Sequence, residues 1–202
     1  MRFPCATRLM IFCKSKQAAS RTLNHILPYI EGKLFLRVNR EKTQVAYVGK
    51  VKYLGYSFYI RKGEGRLRIH PKSIRKFKDK IREVTGRSNG MGIEARKIRL
   101  NQMVRGWTNY FKLADAKTLI QGLDEWIRSR IRMVTWKRWK KVRTRFENLK
   151  RSGIKEEQAW MWANTRKGYW RTAHSPILLR SLSNDSFKRA GYLSLMECYS
   201  AK

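Results

Sequence analysis

Acidic residues are scarce in this chain: fourteen Asp and Glu stand against forty-seven Lys and Arg, leaving a formal charge of +33 over 202 residues. Phosphoryl transfer by two metals needs carboxylates that hold two cations about 4 Å apart. The first acid here is Glu31, and acids are adjacent only at Asp124-Glu125 and Glu156-Glu157. Neighbouring helical positions point apart, so both pairs read as solvated surface charges rather than metal clamps. Cysteine is equally sparse. Cys5, Cys13 and Cys198 are odd in number and far apart, which excludes a disulfide framework and a Cys-x-x-Cys zinc site. His25, His70 and His174 lack metal-ligand spacing, no Gly-x-Ser-x-Gly elbow surrounds Ser175, and Gly63-Glu64-Gly65 fits a turn better than a phosphate loop. No apolar run approaches the roughly 20 residues that span a bilayer, and Leu9 to Cys13 is too short for a signal peptide. The residues alone therefore present no active site, no membrane partner and a cytoplasmic location.

What the chain has is cations and aromatics together. A hydrophobic fraction of 42% and an aromatic fraction of 12% provide a core that a disordered basic tail would lack. A folded surface this basic repels itself unless a polyanion is near, and nucleic acid meets that need through counterion release at its phosphates.

Leu9 to Cys13 is expected to form a short buried strand, followed by a helix with Ala19, Leu23, Ile26, Leu27 and Ile30 on one face, ended by Gly32. Leu34 to Val38, Val45 to Tyr47 and Val51 to Ile60 read as further strands. Residues 61–65 read as the turn of a hairpin that continues into Arg66 to Ile69. Beyond Pro71 the periodicity is helical, with stripes at Ile74, Phe77, Ile81 and Val84, at Leu100, Met103, Val104, Trp107 and Phe111, and at Leu119, Leu123, Trp126, Ile127, Ile131 and Val134. Gly86 to Gly92 breaks the first stripe from the second. Another helix is expected from about Lys155 to Thr165, then a mostly helical tail. The fold class is α+β, with divisions at 1–70, 71–135 and 136–202.

Five segments, in order, carry a resemblance. They are Ile11-Phe12-Cys13-Lys14-Ser15-Lys16, Leu36 to Thr43 with its Asn39, Glu41 and Lys42, and Tyr53-Leu54-Gly55-Tyr56-Ser57-Phe58. The fourth is Leu100-Asn101-Gln102 with Arg105-Gly106-Trp107 and Asn109-Tyr110-Phe111; the fifth is Arg166 to Trp170 with His174-Ser175-Pro176. Together they resemble the C-terminal half of a group II intron reverse transcriptase/maturase. The resemblance implies a partial reverse-transcriptase palm over 1–70, a maturase-specific helical thumb (domain X) over 71–135 and a basic nucleic-acid-binding region over 136–202. The family's Tyr-Ala-Asp-Asp would fall on Cys5-Ala6-Thr7-Arg8, so both aspartates are replaced, by Thr7 and Arg8. An Arg in place of a carboxylate repels Mg²⁺. The intact family uses Mg; this chain, resembling a truncated polymerase without its fingers, is expected to need no cofactor and to polymerise nothing.

By the same resemblance, Asn39 and Lys42 are palm residues, and Tyr53, Leu54, Gly55 and Tyr56 a primer grip. Read without it, Lys42 is a phosphate-facing or solvated lysine, and Gly55 marks a structural turn. Most of Trp107, Tyr110 and Phe111 belongs to a core by its spacing. The stretch after Trp136 differs, because Lys137, Arg138, Lys140, Lys141, Arg143 and Arg145 surround Trp139. Such interleaving suits phosphate contact plus base stacking, with Trp136 and Trp139 as stacking rings. Arg66, Arg68, Lys72, Arg75, Lys76 and Arg105 extend the candidate surface, as do Arg166, Lys167, Tyr169, Trp170 and Arg171. The expected partner is intron RNA, with target DNA and an upstream reverse-transcriptase fragment as further candidates. Expected function is intron RNA binding and splicing assistance. The alternatives are an RNA-directed DNA polymerase completed by an upstream chain, and a non-functional pseudogene-like product.

Overall fold

The computed structural model describes residues 9–201. Thr7 and Arg8, aligned with the family's aspartates, and Cys5 lie outside the described residues. The fold is α+β, mostly helical with a small three-stranded antiparallel sheet. It divides into two units, one of residues 9–53 and 57–65 and another of residues 54–56 and 66–201.

In the first unit, Ser15 opens helix α1 (Lys16–Gly32) by accepting the Ala18 amide on its hydroxyl at 3.1 Å. The expected apolar face is present, yet none of its side chains is fully buried. Three expected strands are not there. Leu9 to Cys13 is irregular, with Leu9, Ile11 and Phe12 exposed; an apolar run becomes a strand only where a neighbour takes its backbone hydrogen bonds. Phe12 instead meets Phe58 edge to face, ring centroids 5.3 Å apart. Leu34 to Val38 is irregular because its amides finish the preceding helix. Leu34 N donates to Tyr29 O at 3.2 Å and Leu36 N to Ile30 O at 3.1 Å, with Phe35 at φ 51° between them. Val45 to Tyr47 leads into a single 3-10 turn, Val48–Lys50.

Strands β1 (Lys52–Tyr53), β2 (Tyr56–Arg61) and β3 (Glu64–Ile69) lie in sequence order in the sheet. The span expected to be one strand, Val51 to Ile60, is broken by a two-residue turn at Leu54-Gly55, with φ of 48° and 84°. Lys62-Gly63, at 52° and 79°, turns β2 into β3 in the same way. Positive φ at both central residues is the hairpin geometry whose twist matches its strands.

In the second unit, the Gly55 carbonyl accepts His70 N and the Ser73 hydroxyl, each at 3.0 Å. A Cβ on Gly55 would stand 3.1 Å from both Phe111 Cζ and Ser73 Oγ, so glycine is required by φ and by space alike. His70 then caps helix α2 (Pro71–Val84), with Pro71 in its first turn. Helices α3 (Ile93–Tyr110) and α4 (Lys117–Arg138) follow, and the three expected stripes meet. Phe77, Ile81 and Val84 bury against Leu100, Val104 and Phe111, and against Ile120, Leu123, Ile127 and Ile131. Phe77 and Trp107 stack at 4.4 Å and 18°.

The expected later helix spans α6 (Glu156–Ala163), preceded by α5 (Val142–Arg151) and followed by α7 (Tyr169–Ala173), α8 (Pro176–Ser181), α9 (Asn184–Arg189) and α10 (Leu195–Ser200). Phe187, Leu195 and Tyr199 from α9 and α10 join the first core. A second core gathers Trp136, Leu149, Ala159, Ala163, Ile177 and Leu178.

Polar side chains fix these joins. Asn101 donates to Gly191 O at 2.7 Å and accepts Leu193 N at 3.0 Å, pinning the loop before α10 to α3. Asp124, expected on the surface, is 3% exposed. It accepts Leu195 N at 2.8 Å and the Ser194 hydroxyl at 2.9 Å, and pairs with Arg128 at 2.7 Å. Burial is tolerated because cation and donors replace the water the carboxylate gives up.

Candidate nucleic-acid interface

One face of α2 repeats cations at helical spacing. Arg75, Lys78 and Arg82 line a shallow hollow with Pro71, Ile74 and Asp79, whose carboxylate pairs with Arg82 at 2.6 Å. Across from it on α4 stands Trp126. Lys78 Nζ and the Arg82 guanidinium each lie 5.6 Å from the Trp126 ring centroid, and Arg130, one turn further along α4, lies 5.9 Å from it. Three cations over one indole is a cation–π arrangement that holds positive charge with one carboxylate, Asp79, beside it.

Arg130 is fixed by the end of α2. Its Nε donates to Thr85 Oγ1 at 2.9 Å, and its Nη2 to the Thr85 and Arg82 carbonyls at 3.2 and 3.3 Å. These are the free carbonyls at the negative end of a helix, where a cation is favoured. Burial pushes the Arg130 pKa below its ordinary value, and the charges of Arg82 and Arg87 push it the same way. The surface is thus built against its own repulsion.

The strip continues past α2. Arg87 lies 5.5 Å from the Tyr169 ring centroid, and Lys137 Nζ donates to the Arg87 carbonyl and to Ser88 Oγ. Arg130 also lies 6.0 Å from the ring of Trp170, which is exposed. Of the residues expected from sequence, the structure joins Arg75, Lys137, Tyr169 and Trp170 here. Sequence reasoning missed Lys78, Arg82, Arg87 and Arg130 as members; it placed Trp126 in a core stripe, and Trp126 does pack against the first core while also carrying these cations. The signal was present: 75, 78 and 82 share a face of α2, and 126 and 130 share a face of α4.

The cation run after Trp136 divides. Trp136 is 1% exposed in the second core, so it offers no face to a base, contrary to the stacking role expected for it. Trp139 is half-buried against the same core, edge-on to Trp136 at 5.9 Å. The Arg145 guanidinium lies 4.7 Å from the Trp136 ring and donates to Trp139 O at 2.9 Å and Ala163 O at 3.3 Å. Arg143 is exposed and pairs with Glu147 at 3.1 Å. Arg138 at the end of α4, and Lys140 and Lys141 between α4 and α5, are exposed.

Other candidates stand elsewhere. Arg66 pairs with Asp115 at 3.2 Å. Arg68 on β3, Lys72 and Lys76 on α2, and Arg105 on α3 are exposed, as are Arg166 and Arg171. Lys167 lines a separate hollow with Met161, Trp162, Ile177 and Arg180. Asn39 closes a turn by accepting Lys42 N on its side chain at 3.1 Å, leaving the Lys42 side chain exposed. Tyr53 is the second residue of β1. Leu54 and Gly55 form the turn described above; the Tyr56 hydroxyl donates to Tyr110 O, and the Tyr110 hydroxyl to Leu54 O at 2.7 Å.

Among the described residues, no three His, Cys, Asp or Glu come together as metal ligands, and no helix is long and apolar enough to cross a membrane. Residues 74–153, from the first turn of α2 to just beyond α5, match the family model described as the group II intron maturase-specific domain. Comparison with curated proteins gave no match.

Proposed function

Because this chain carries the group II intron maturase-specific domain at residues 74–153, we propose that it binds the RNA of a group II intron and assists its splicing, through the cation–aromatic strip of α2, α4 and α7. The observation that carries this is the gathering of Lys78, Arg82 and Arg130 around Trp126, inside the matched domain. In this reading residues 1–70 are a partial reverse-transcriptase palm, 71–135 the thumb and 136–202 a basic nucleic-acid-binding region. Target DNA is a second ligand of that region. With Thr7 and Arg8 where the family holds aspartates, the chain binds and does not polymerise, and its binding requires no cofactor. An upstream reverse-transcriptase fragment is the partner that would supply polymerisation.

The test is binding of a structured RNA across a salt series. Neutralising about six phosphates gives a log–log slope near −5, somewhat shallower on single strands. Affinity that does not respond to salt, or no binding at low salt, would end the proposal. Mg²⁺-dependent primer extension by the chain alone would end its second half.

A further inference from the structure

Arg130 has its Nε and Nη2 committed to α2, while its Nη1 makes no hydrogen bond among the described residues. Arg82 shares the Trp126 ring with Arg130, its own guanidinium 5.6 Å from the centroid, and Arg87 stands over the nearby Tyr169 ring at 5.5 Å. Arg82 already has the Asp79 carboxylate at 2.6 Å, but Arg130 has no carboxylate among the described ion pairs and holds its donors in place before an anion arrives, so little ordering is needed on binding. Beside it Trp170 is 42% exposed as a residue, an unusual position for an indole with no core role. His174 fixes its orientation. His174 lies edge-on to it at 4.4 Å and 65°, and the Nδ1 of His174 donates to the Trp170 carbonyl at 2.9 Å, since a carbonyl can only accept.

We propose that this corner is a site for one unpaired nucleotide of the bound RNA: Arg82, Arg87 and Arg130 take its phosphate and the exposed face of Trp170 stacks its base. The proposal rests on the RNA-binding function above and narrows it to a class of ligand. A base-paired stem presents phosphates but covers the faces of its bases, so it would satisfy the arginines and leave Trp170 unused. An unpaired base uses both, and the preference carries no sequence readout because every base has a stacking face.

Two hairpin RNAs of equal length and charge, one with a single bulged adenosine and one fully paired, separate the possibilities. The wild-type chain should bind the bulged hairpin roughly tenfold more tightly, the effect of one base on one aromatic ring. Trp170→Leu should erase that preference, bringing the bulged hairpin to the same affinity as the paired one. Trp170→Phe, which keeps a ring, should retain part of it. Arg87→Ala should weaken both hairpins. Equal wild-type binding of the two hairpins, or a preference that survives Trp170→Leu, overturns the nucleotide site and leaves RNA binding standing. Failure to bind either hairpin overturns both.

Discussion

Replacing Asp124 with alanine should unfasten α10 from the helices it covers. The carboxylate is buried and has three partners: Leu195 N at the first residue of α10, the Ser194 hydroxyl before it, and Arg128 on its own helix. Hydrogen bonds to a charged group contribute about 1.5–3 kcal/mol each. Arg128 keeps a fifth of its side chain in solvent and recovers some hydration. Water can also reach Ser194, but Leu195 is fully buried, so its amide bears most of the loss. A net destabilisation of about 3–4 kcal/mol follows, within the range for removing one member of a buried pair. For a chain of this size that lowers Tm by roughly 10 °C, read by calorimetry or by far-UV circular dichroism. Asp124→Asn keeps one acceptor oxygen and should lose about half as much. Since Leu195 and Tyr199 leave the first core together when α10 detaches, hydrogen exchange should quicken at 195–200 before it does in α3. A loss below about 0.5 kcal/mol for the alanine variant would mean that α10 is held by apolar contact alone.

Gly55→Ala should cost about 2 kcal/mol, combining left-handed strain with a Cβ 3.1 Å from Phe111 and Ser73; a neutral urea midpoint would contradict the tight approach. Burial pushes the Cys198 thiol above its ordinary 9.0, more than the opposing pull of Arg105 lowers it. Its thiol form therefore stabilises the fold below pH 9, and that contribution fades as pH rises through the raised value, so Cys198→Ser should flatten the alkaline fall in Tm. Native Cys198 should also alkylate more slowly at pH 8 than in denaturant, measured peptide by peptide.

The helical half of this fold is legible in the sequence because a helix writes its own evidence. Ile74, Phe77, Ile81 and Val84 repeat at the helical period and bury as a stripe whatever lies opposite. A strand needs a neighbour that a local pattern does not name. Leu9 to Cys13 has the apolar run and no ladder, and Leu34 to Val38 spends its amides on the end of α1. Charge misled in both directions. Asp124 looked solvated beside Glu125, yet neighbouring helical positions face different surroundings, and its donors come from 70 residues away. Trp136 looked like part of a basic run because the cations follow it, although it closes the buried face of α4 one turn after Arg132 and Met133. The interface was half visible for the same reason. Arg75, Tyr169 and Trp170 stand out by residue type, whereas Trp126 and Arg130 acquire meaning only when α2 lies across α4.

Two triple variants decide which basic surface holds the RNA. Lys78, Arg82 and Arg87 changed to alanine remove charge from the strip around Trp126 and Arg130; Lys140, Lys141 and Arg143 changed to alanine remove equal charge around the start of α5. Removing one phosphate-binding cation should reduce the salt slope by about 1. The first variant should therefore flatten the log–log slope by about 3 on structured RNA, and the second should leave it close to wild type. A slope flattened by the second variant and untouched by the first would contradict the interface proposed here.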